Sequence, residues 1–205
     1  MRYLCLDIGN VICKVDFTSF KNRISKTLNI ELDAVEYFLN RTQKLHDLGM
    51  TSLSDELRDH FKIKSTPIVD DLMAEWNKTI TMDDFMFRFL QSILSDGNIK
   101  IALLSNIGIE HTLLVKELLT SGIYDQCVPF FSCEVGARKP SFLYYKTFLD
   151  LYPEFNHSIY LDDRQENVDI GAKFSLKAIR FDLDTFKSDL EKAKAISGLE
   201  KLILE

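Results

Sequence analysis

Four stretches of the sequence set reactive side chains beside short apolar runs. Asp7 follows the first run, in Leu6-Asp7-Ile8-Gly9-Asn10. Ser105 and Asn106 close a second, in Leu104-Ser105-Asn106. Lys139 follows a third, in Gly136-Ala137-Arg138-Lys139-Pro140. Asp162 and Asp163 close a fourth, in Leu161-Asp162-Asp163-Arg164. Taken singly, each has an ordinary explanation. A lone Asp caps a helix or forms a turn, Ser105-Asn106 is an N-cap, the Asp pair is a solvated turn, and Lys139-Pro140 is a surface loop. Gathered in one place they do chemistry. Three adjacent carboxylates repel one another and require a cation. Oxygen ligands with few or no histidines favour Mg²⁺.

For these groups to meet, the runs that carry them must be neighbouring strands. Residues 3–8, 100–105, 128–132, 158–162 and 177–181 are short and near-continuously apolar, as parallel strands buried on both faces are. Helix-patterned stretches at 109–119, 142–151 and 164–174 separate the last four. In the first of these, Ile109, Leu113, Leu114, Leu118 and Leu119 fall near one face. Alternation of this kind implies right-handed crossovers and an α/β, Rossmann-like doubly wound parallel sheet. In such a sheet functional groups collect at the carboxyl ends of the strands.

The first connection is far longer than a crossover needs. It contains no convincing strand, and residues 31–45, 52–61 and 67–76 read as helices. Met82, Phe85, Met86, Phe89, Leu90, Ile93 and Leu94 make a further helical stripe. Residues 17–94 are therefore expected to form an α-helical cap inserted after strand one. It would be hinged near Asp16 and residues 94–98, with residues 1–16 and 95–205 as the core.

The chain has 205 residues, is 46% hydrophobic and 27% charged, and carries a net charge of −6. The acidic balance argues against a nucleic-acid partner. No apolar run approaches the ~18 residues of a membrane span. The N-terminal apolar segment reaches Asp7 too soon for a signal-peptide core, so a cytoplasmic location is expected. Cys5, Cys13, Cys127 and Cys133 form no C-x-x-C pair, and the four histidines show no zinc spacing. The thiols are read as reduced. No nucleic-acid or membrane partner is expected, and the chain is read as a monomer or homodimer.

The order and wording of the motifs resemble the haloacid dehalogenase (HAD) superfamily, most closely its helical-cap Mg²⁺-dependent phosphatases. Asp7-Ile8-Gly9-Asn10-Val11 is similar to the first motif, Leu104-Ser105-Asn106 to the second and Gly136-Ala137-Arg138-Lys139-Pro140 to the third. Leu161-Asp162-Asp163 with Asn167-Val168 is similar to the fourth. Leu48-Gly49-Met50-Thr51 and Glu75-Trp76-Asn77 look like cap positions. The resemblance spans nearly the whole chain. It implies that Asp7 is the nucleophile, forming an aspartyl-phosphate. It also implies that Mg²⁺ is held by Asp7, the Gly9 carbonyl and Asp163, with Asp162 as an indirect or alternate ligand. Ser105 and the Asn106 backbone would hold phosphoryl oxygens, and Lys139 would neutralise charge in catalysis.

Two positions depart from the family pattern. Gly9 stands where most of these phosphatases carry a second Asp as general acid/base, a role worth about 10²–10⁴ in rate. Its absence matters least for acidic leaving groups; Asp16 is an alternative proton source, weighed against a hinge or turn role. Ser175 stands where a Gly is common. Asn10 is expected to fix the turn after strand one. Polar residues of Arg41-Thr42-Gln43-Lys44-Leu45-His46-Asp47 are candidate substrate contacts, and Trp76 is read as core. The leading function is hydrolysis of a small phosphorylated metabolite, with a sugar phosphate as one option. The alternatives are a metal-independent 2-haloacid dehalogenase and a degenerate phosphatase acting as a binding module. There is no P-loop or dinucleotide fingerprint.

Overall fold

The computed structural model describes residues 1–95 and 97–204. Five parallel strands form one sheet: β1 (Arg2–Leu6), β4 (Ile99–Ser105), β5 (Cys127–Phe131), β6 (Ile159–Asp162) and β7 (Lys177–Arg180). Their order is β5-β4-β1-β6-β7. The chain moves outward from β1 on one side, then returns to β1's other edge. Asp7 and Asp162 leave adjacent strands at that reversal, where Leu6 pairs with Leu161 and the Asp7 amide donates to the Leu161 carbonyl at 2.9 Å.

Successive residues serve opposite faces of the sheet. Leu4, Leu6, Ile101, Leu103 and Leu161 pack on one side, Cys5, Ala102, Leu104 and Tyr160 on the other. Burial on both faces explains why the strands read as continuous apolar runs. Helices α9 (Phe142–Leu151) and α10 (Gln165–Lys173) cover the second face. The first is covered by α5 (Asp84–Ser95), by α6 (Ile109–Leu118) with the short α7 (Thr120–Tyr124), and by α11 (Asp189–Leu204).

The insertion has its own core. Helices α1 (Thr18–Leu28), α2 (Leu32–Asp47), α3 (Leu53–Phe61) and α4 (Thr66–Trp76) pack around Phe20, Ile24, Val35, Phe38, Leu53, Leu57, Leu72 and Trp76.

The structure corrects three sequence expectations. The 82–94 stripe does form a helix, but α5 lies on the sheet with Ile196, Leu199 and Ile203 of α11, not with the cap cluster. Its strongly apolar stripe is matched by the sheet's larger apolar face. The helices that pack in the insertion's own cluster thus end before α5, and residue 96 of the expected 94–98 hinge lies outside the described residues. Second, the stretch between β1 and β4 does contain strands. β2 (Cys13–Val15) pairs antiparallel with β3 (Ile80–Met82), tying the insertion's two ends together. Three residues are too few for a period-two pattern to register. Third, α6 buries only part of the expected stripe: Leu119 is buried and Leu114 and Leu118 pack against the core. Ile109 and Leu113 are 59% and 70% exposed, whereas His111 and Val115 are buried. The helix is rotated so that His111 stacks on Trp76, with ring centroids 4.4 Å apart.

Among the described residues no helix is long and apolar enough to cross a membrane. Ser175 adopts a φ of 64°, the left-handed conformation that glycine enters most easily.

Candidate active site

Lys139 is the hub at the sheet's carboxyl edge. Its Nζ lies 3.0 Å from Asp7 Oδ1 and 2.6 Å from Asp162 Oδ2, and it donates to the Leu104 carbonyl at 2.6 Å. The lysine is only 1% exposed. Its backbone is held by Asn106, whose amide donates to the Lys139 carbonyl and whose oxygen accepts from the Lys139 N–H, both at 2.8 Å. Sequence reasoning assigned Asn106 a phosphate contact through its backbone. The structure adds this work for its side chain, which joins the exit of β4 to the Lys139 loop.

Asp162 is fully engaged. Lys139 and the Tyr160 hydroxyl donate to Oδ2, while the Arg164 N–H and Asn167 Nδ2 donate to Oδ1, each at 2.9 Å. A carboxylate offers about four lone-pair sites, so these donors occupy it. Asp162 thus anchors Lys139.

Asp7, Asp162 and Asp163 each offer one oxygen, all within 4.8 Å of one another. Burial, reinforced by the Asp162 and Asp163 charges, outweighs the pull of Lys139 and pushes the Asp7 carboxyl up to about 7. Burial and the Asp162 charge also raise Asp163. Burial opposes charge on Asp162, but Lys139 and the donors around it hold the carboxyl below its usual range. Burial likewise opposes charge on Lys139; the Asp162 and Asp7 carboxylates overcome it and hold the lysine above its ordinary value. One lysine therefore compensates one acid well. Asp7 and Asp163 remain under-compensated, and an oxygen-only donor set of this charge suits a hard divalent cation.

The turn after β1 follows from Asn10, which takes a φ of 53° and accepts from the Val15 N–H at 3.1 Å through Oδ1. Gly9 does not adopt a left-handed conformation. A Cβ there would meet Val15 Cγ2 at 3.4 Å, an ordinary contact. Nothing in the local backbone reserves this position for glycine.

Asp7, Gly9, Ser105, Asn106, Lys139 and Asp163 line the core side of a cavity of about 310 Å³. Residues of the helical insertion line the other side. Of the polar run in α2, Thr42, Gln43, His46 and Asp47 line the cavity, whereas Arg41 and Lys44 do not; Trp76 lines it while also belonging to the cap core. Asp16, considered as a proton source, lies outside the lining and accepts from the Thr18 N–H at 2.8 Å, which makes it a turn former.

The end of α2 is fastened to the core by Glu110 and Ser132, which carried no sequence signal, and by Arg138 of the third motif. Glu110 contacts His46 Nε2 and accepts from the Leu53 N–H, each at 2.7 Å. Ser132 Oγ donates to the Asp47 carbonyl at 2.5 Å, and Arg138 Nη2 lies 2.9 Å from Asp47 Oδ2. Gly49 permits this approach, since a Cβ there would stand 2.3 Å from the Cys133 carbonyl oxygen. Burial depresses the His111 imidazole to about 4, so it is neutral near pH 7.

No family model and no curated protein sequence matches the chain. Solved structures do. An HAD family enzyme from Bacteroides thetaiotaomicron, in complex with magnesium and inorganic phosphate, is 16% identical with a TM-score of 0.77, over 93% of this chain and 98% of that one. A predicted HAD-like family hydrolase from Porphyromonas gingivalis is 17% identical with a TM-score of 0.70, over 97% of both chains. A dehalogenase is 16% identical with a TM-score of 0.65, over 100% of this chain and 98% of that one. The α/β fold is thus HAD-like, as the motifs implied.

Proposed function

We propose that the protein is a hydrolase, a Mg²⁺-dependent phosphatase that acts on a small phosphorylated metabolite through an aspartyl-phosphate. The observation that carries this reading is Asp7 Oδ1 at 3.0 Å from a buried Lys139 Nζ, beside the under-compensated Asp163. Asp7 attacks phosphorus, a new Asp7–phosphorus bond forms, and the bond to the leaving oxygen breaks. Lys139, fixed by Asp162 and Asn106, offsets the negative charge that nucleophile and phosphoryl group bring together. Ser105 and the Asn106 backbone supply donors to the phosphoryl oxygens. Water then attacks the phosphorus, releasing phosphate and restoring Asp7. The residues that would hold Mg²⁺ are Asp7, Asp163 and the Gly9 carbonyl; the ion would supply positive charge at the transferring phosphoryl group. The B. thetaiotaomicron structure, with magnesium and phosphate, supports this choice.

Gly9 leaves no carboxyl two residues after the nucleophile to protonate the leaving oxygen. Acidic leaving groups, such as aryl or anomeric oxygens, are therefore the preferred substrates. The similarity to a dehalogenase favours a second reading, 2-haloacid dehalogenation with the same Asp7 nucleophile. That chemistry gives the half-buried Asp163 no work. A panel of phosphomonoesters and 2-haloacids, assayed with Mg²⁺ and with EDTA, separates the two. Phosphate release lost in EDTA supports the phosphatase; halide release undiminished in EDTA supports the dehalogenase.

A further inference from the structure

Asp162 Oδ2 is a shared acceptor. Lys139 Nζ donates to it at 2.6 Å, and so does the Tyr160 hydroxyl. A carboxylate oxygen offers about two lone-pair sites, so these two donors fill Oδ2. The Arg164 N–H and Asn167 Nδ2 fill Oδ1. The lysine ammonium has three N–H donors. The Leu104 carbonyl and Asp162 take two of them, each at 2.6 Å, which leaves the third for Asp7 Oδ1 at 3.0 Å.

Tyr160 is fully buried in the aromatic cluster of Tyr144, Tyr145, Phe148 and Phe155. Gly171 makes room for its ring, since a Cβ there would stand 2.8 Å from Tyr160 Cδ1. The Tyr145 ring meets it edge-on, with centroids 6.0 Å apart. A phenol has a single proton to donate. Tyr145 gives its own to the Asn167 carbonyl at 3.0 Å, and Tyr160 gives its own to Asp162. The two hydroxyls lie farther apart, at 3.3 Å. A charged carboxylate is a stronger acceptor than a neutral hydroxyl, which fixes this order. Apolar packing needs no oxygen at position 160, because a phenylalanine ring would fill the same space. The work of the hydroxyl is therefore done at Asp162.

We infer that Tyr160 is a positioning residue for Lys139: by filling the second acceptor site of Asp162 Oδ2, its hydroxyl leaves one lysine N–H free to face Asp7 and the incoming phosphoryl group. Without the hydroxyl, Oδ2 has an open lone pair and more negative charge to offer. Lys139 Nζ then moves towards Asp162. Its contact with Asp7, already the longest of the three, is the one that weakens. The loss falls on the transition state, where the charges of nucleophile and phosphoryl group converge. This inference rests on the phosphatase reading and adds a residue to its machinery.

The test measures kcat and KM for p-nitrophenyl phosphate, in Mg²⁺, for wild type, Tyr160→Phe, Tyr160→3-fluorotyrosine and Tyr144→Phe. Tyr160→Phe should lower kcat about tenfold at unchanged KM, as loss of a transition-state contact predicts. Tyr160→3-fluorotyrosine keeps the ring and makes the hydroxyl a stronger donor, so kcat should match or exceed that of the wild type. Tyr144→Phe removes an equally buried hydroxyl of the same cluster, one that donates to the Phe130 carbonyl. It should lower the midpoint of urea unfolding and leave kcat unchanged. A wild-type kcat in Tyr160→Phe, or an equal loss of kcat in Tyr144→Phe, would overturn the positioning role. If Tyr160→Phe does not fold, the fluorinated protein decides: kcat at or above the wild-type value supports the role, and kcat below it overturns the role. A wild-type protein that hydrolyses no phosphomonoester would overturn the phosphatase reading beneath it.

Discussion

The core side of the cavity and its cap side treat their polar groups differently. On the core side, Lys139 Nζ and both Asp162 oxygens are paired, with Lys139 at 2.6 Å from Asp162. On the cap side, Thr42 and Trp76 end in buried atoms without partners. Reactive groups must be oriented before substrate arrives, because positioning during the reaction would add to its barrier. Groups that select a substrate work the other way: left unpaired, they reward only a ligand that completes them. On the proposed function, the paired side carries the chemistry.

Substitutions on the core side should produce the largest losses. Asp7→Asn replaces the proposed nucleophile with a neutral amide and should lower kcat by about 10³-fold or more. The far-ultraviolet circular dichroism should stay that of the wild type. Asp163→Asn removes a carboxylate from the proposed ligand set. It should raise the Mg²⁺ concentration for half-maximal activity about 10–100-fold, as a metal titration will read.

Gly9→Asp sharpens the comparison by adding an acid to the core side. The backbone accepts a Cβ there. Turnover of alkyl phosphates should rise about tenfold, with a smaller rise for aryl phosphates. The readout is the slope of log kcat/KM against leaving-group pKa, which should flatten in the variant.

The smallest effect on turnover is expected at His111, on the core edge facing the cap. Its folded pKa is depressed by burial from 6.5 to about 4. Between those values the unfolded chain binds a proton that the folded chain does not. Stability therefore rises with pH across this window and is lost as pH falls from about 6.5 towards 4, by about 3 kcal/mol at most. His111→Phe keeps the stack on Trp76 and removes the titration. Urea unfolding from pH 4 to 7 should show a shallower pH dependence in the variant.

The same division governs what the sequence revealed. Each core-side group follows a short apolar run or closes one, so the exits of those runs pointed to Asp7, Ser105, Lys139 and the acidic pair. The five strands were legible because burial on both faces leaves a continuous apolar signature. The cap side was not legible in this way. Thr42 and Asp47 sit on a helix whose facing depends on how α2 docks, and that docking depends on Glu110, Ser132 and the close approach at Gly49. None of these carries a periodic signal. Asp162 illustrates a further limit: sequence placed it beside the nucleophile, but only its four donors show that it anchors Lys139.

The most direct test is a single-turnover reaction with an aryl phosphate, quenched in acid and examined by mass spectrometry of the intact and digested protein. The account predicts a transient phosphoryl adduct on the peptide containing Asp7, formed with Mg²⁺ and absent in EDTA and in Asp7→Asn. Phosphate release by Asp7→Asn at the wild-type rate, or an adduct on another residue, would contradict it.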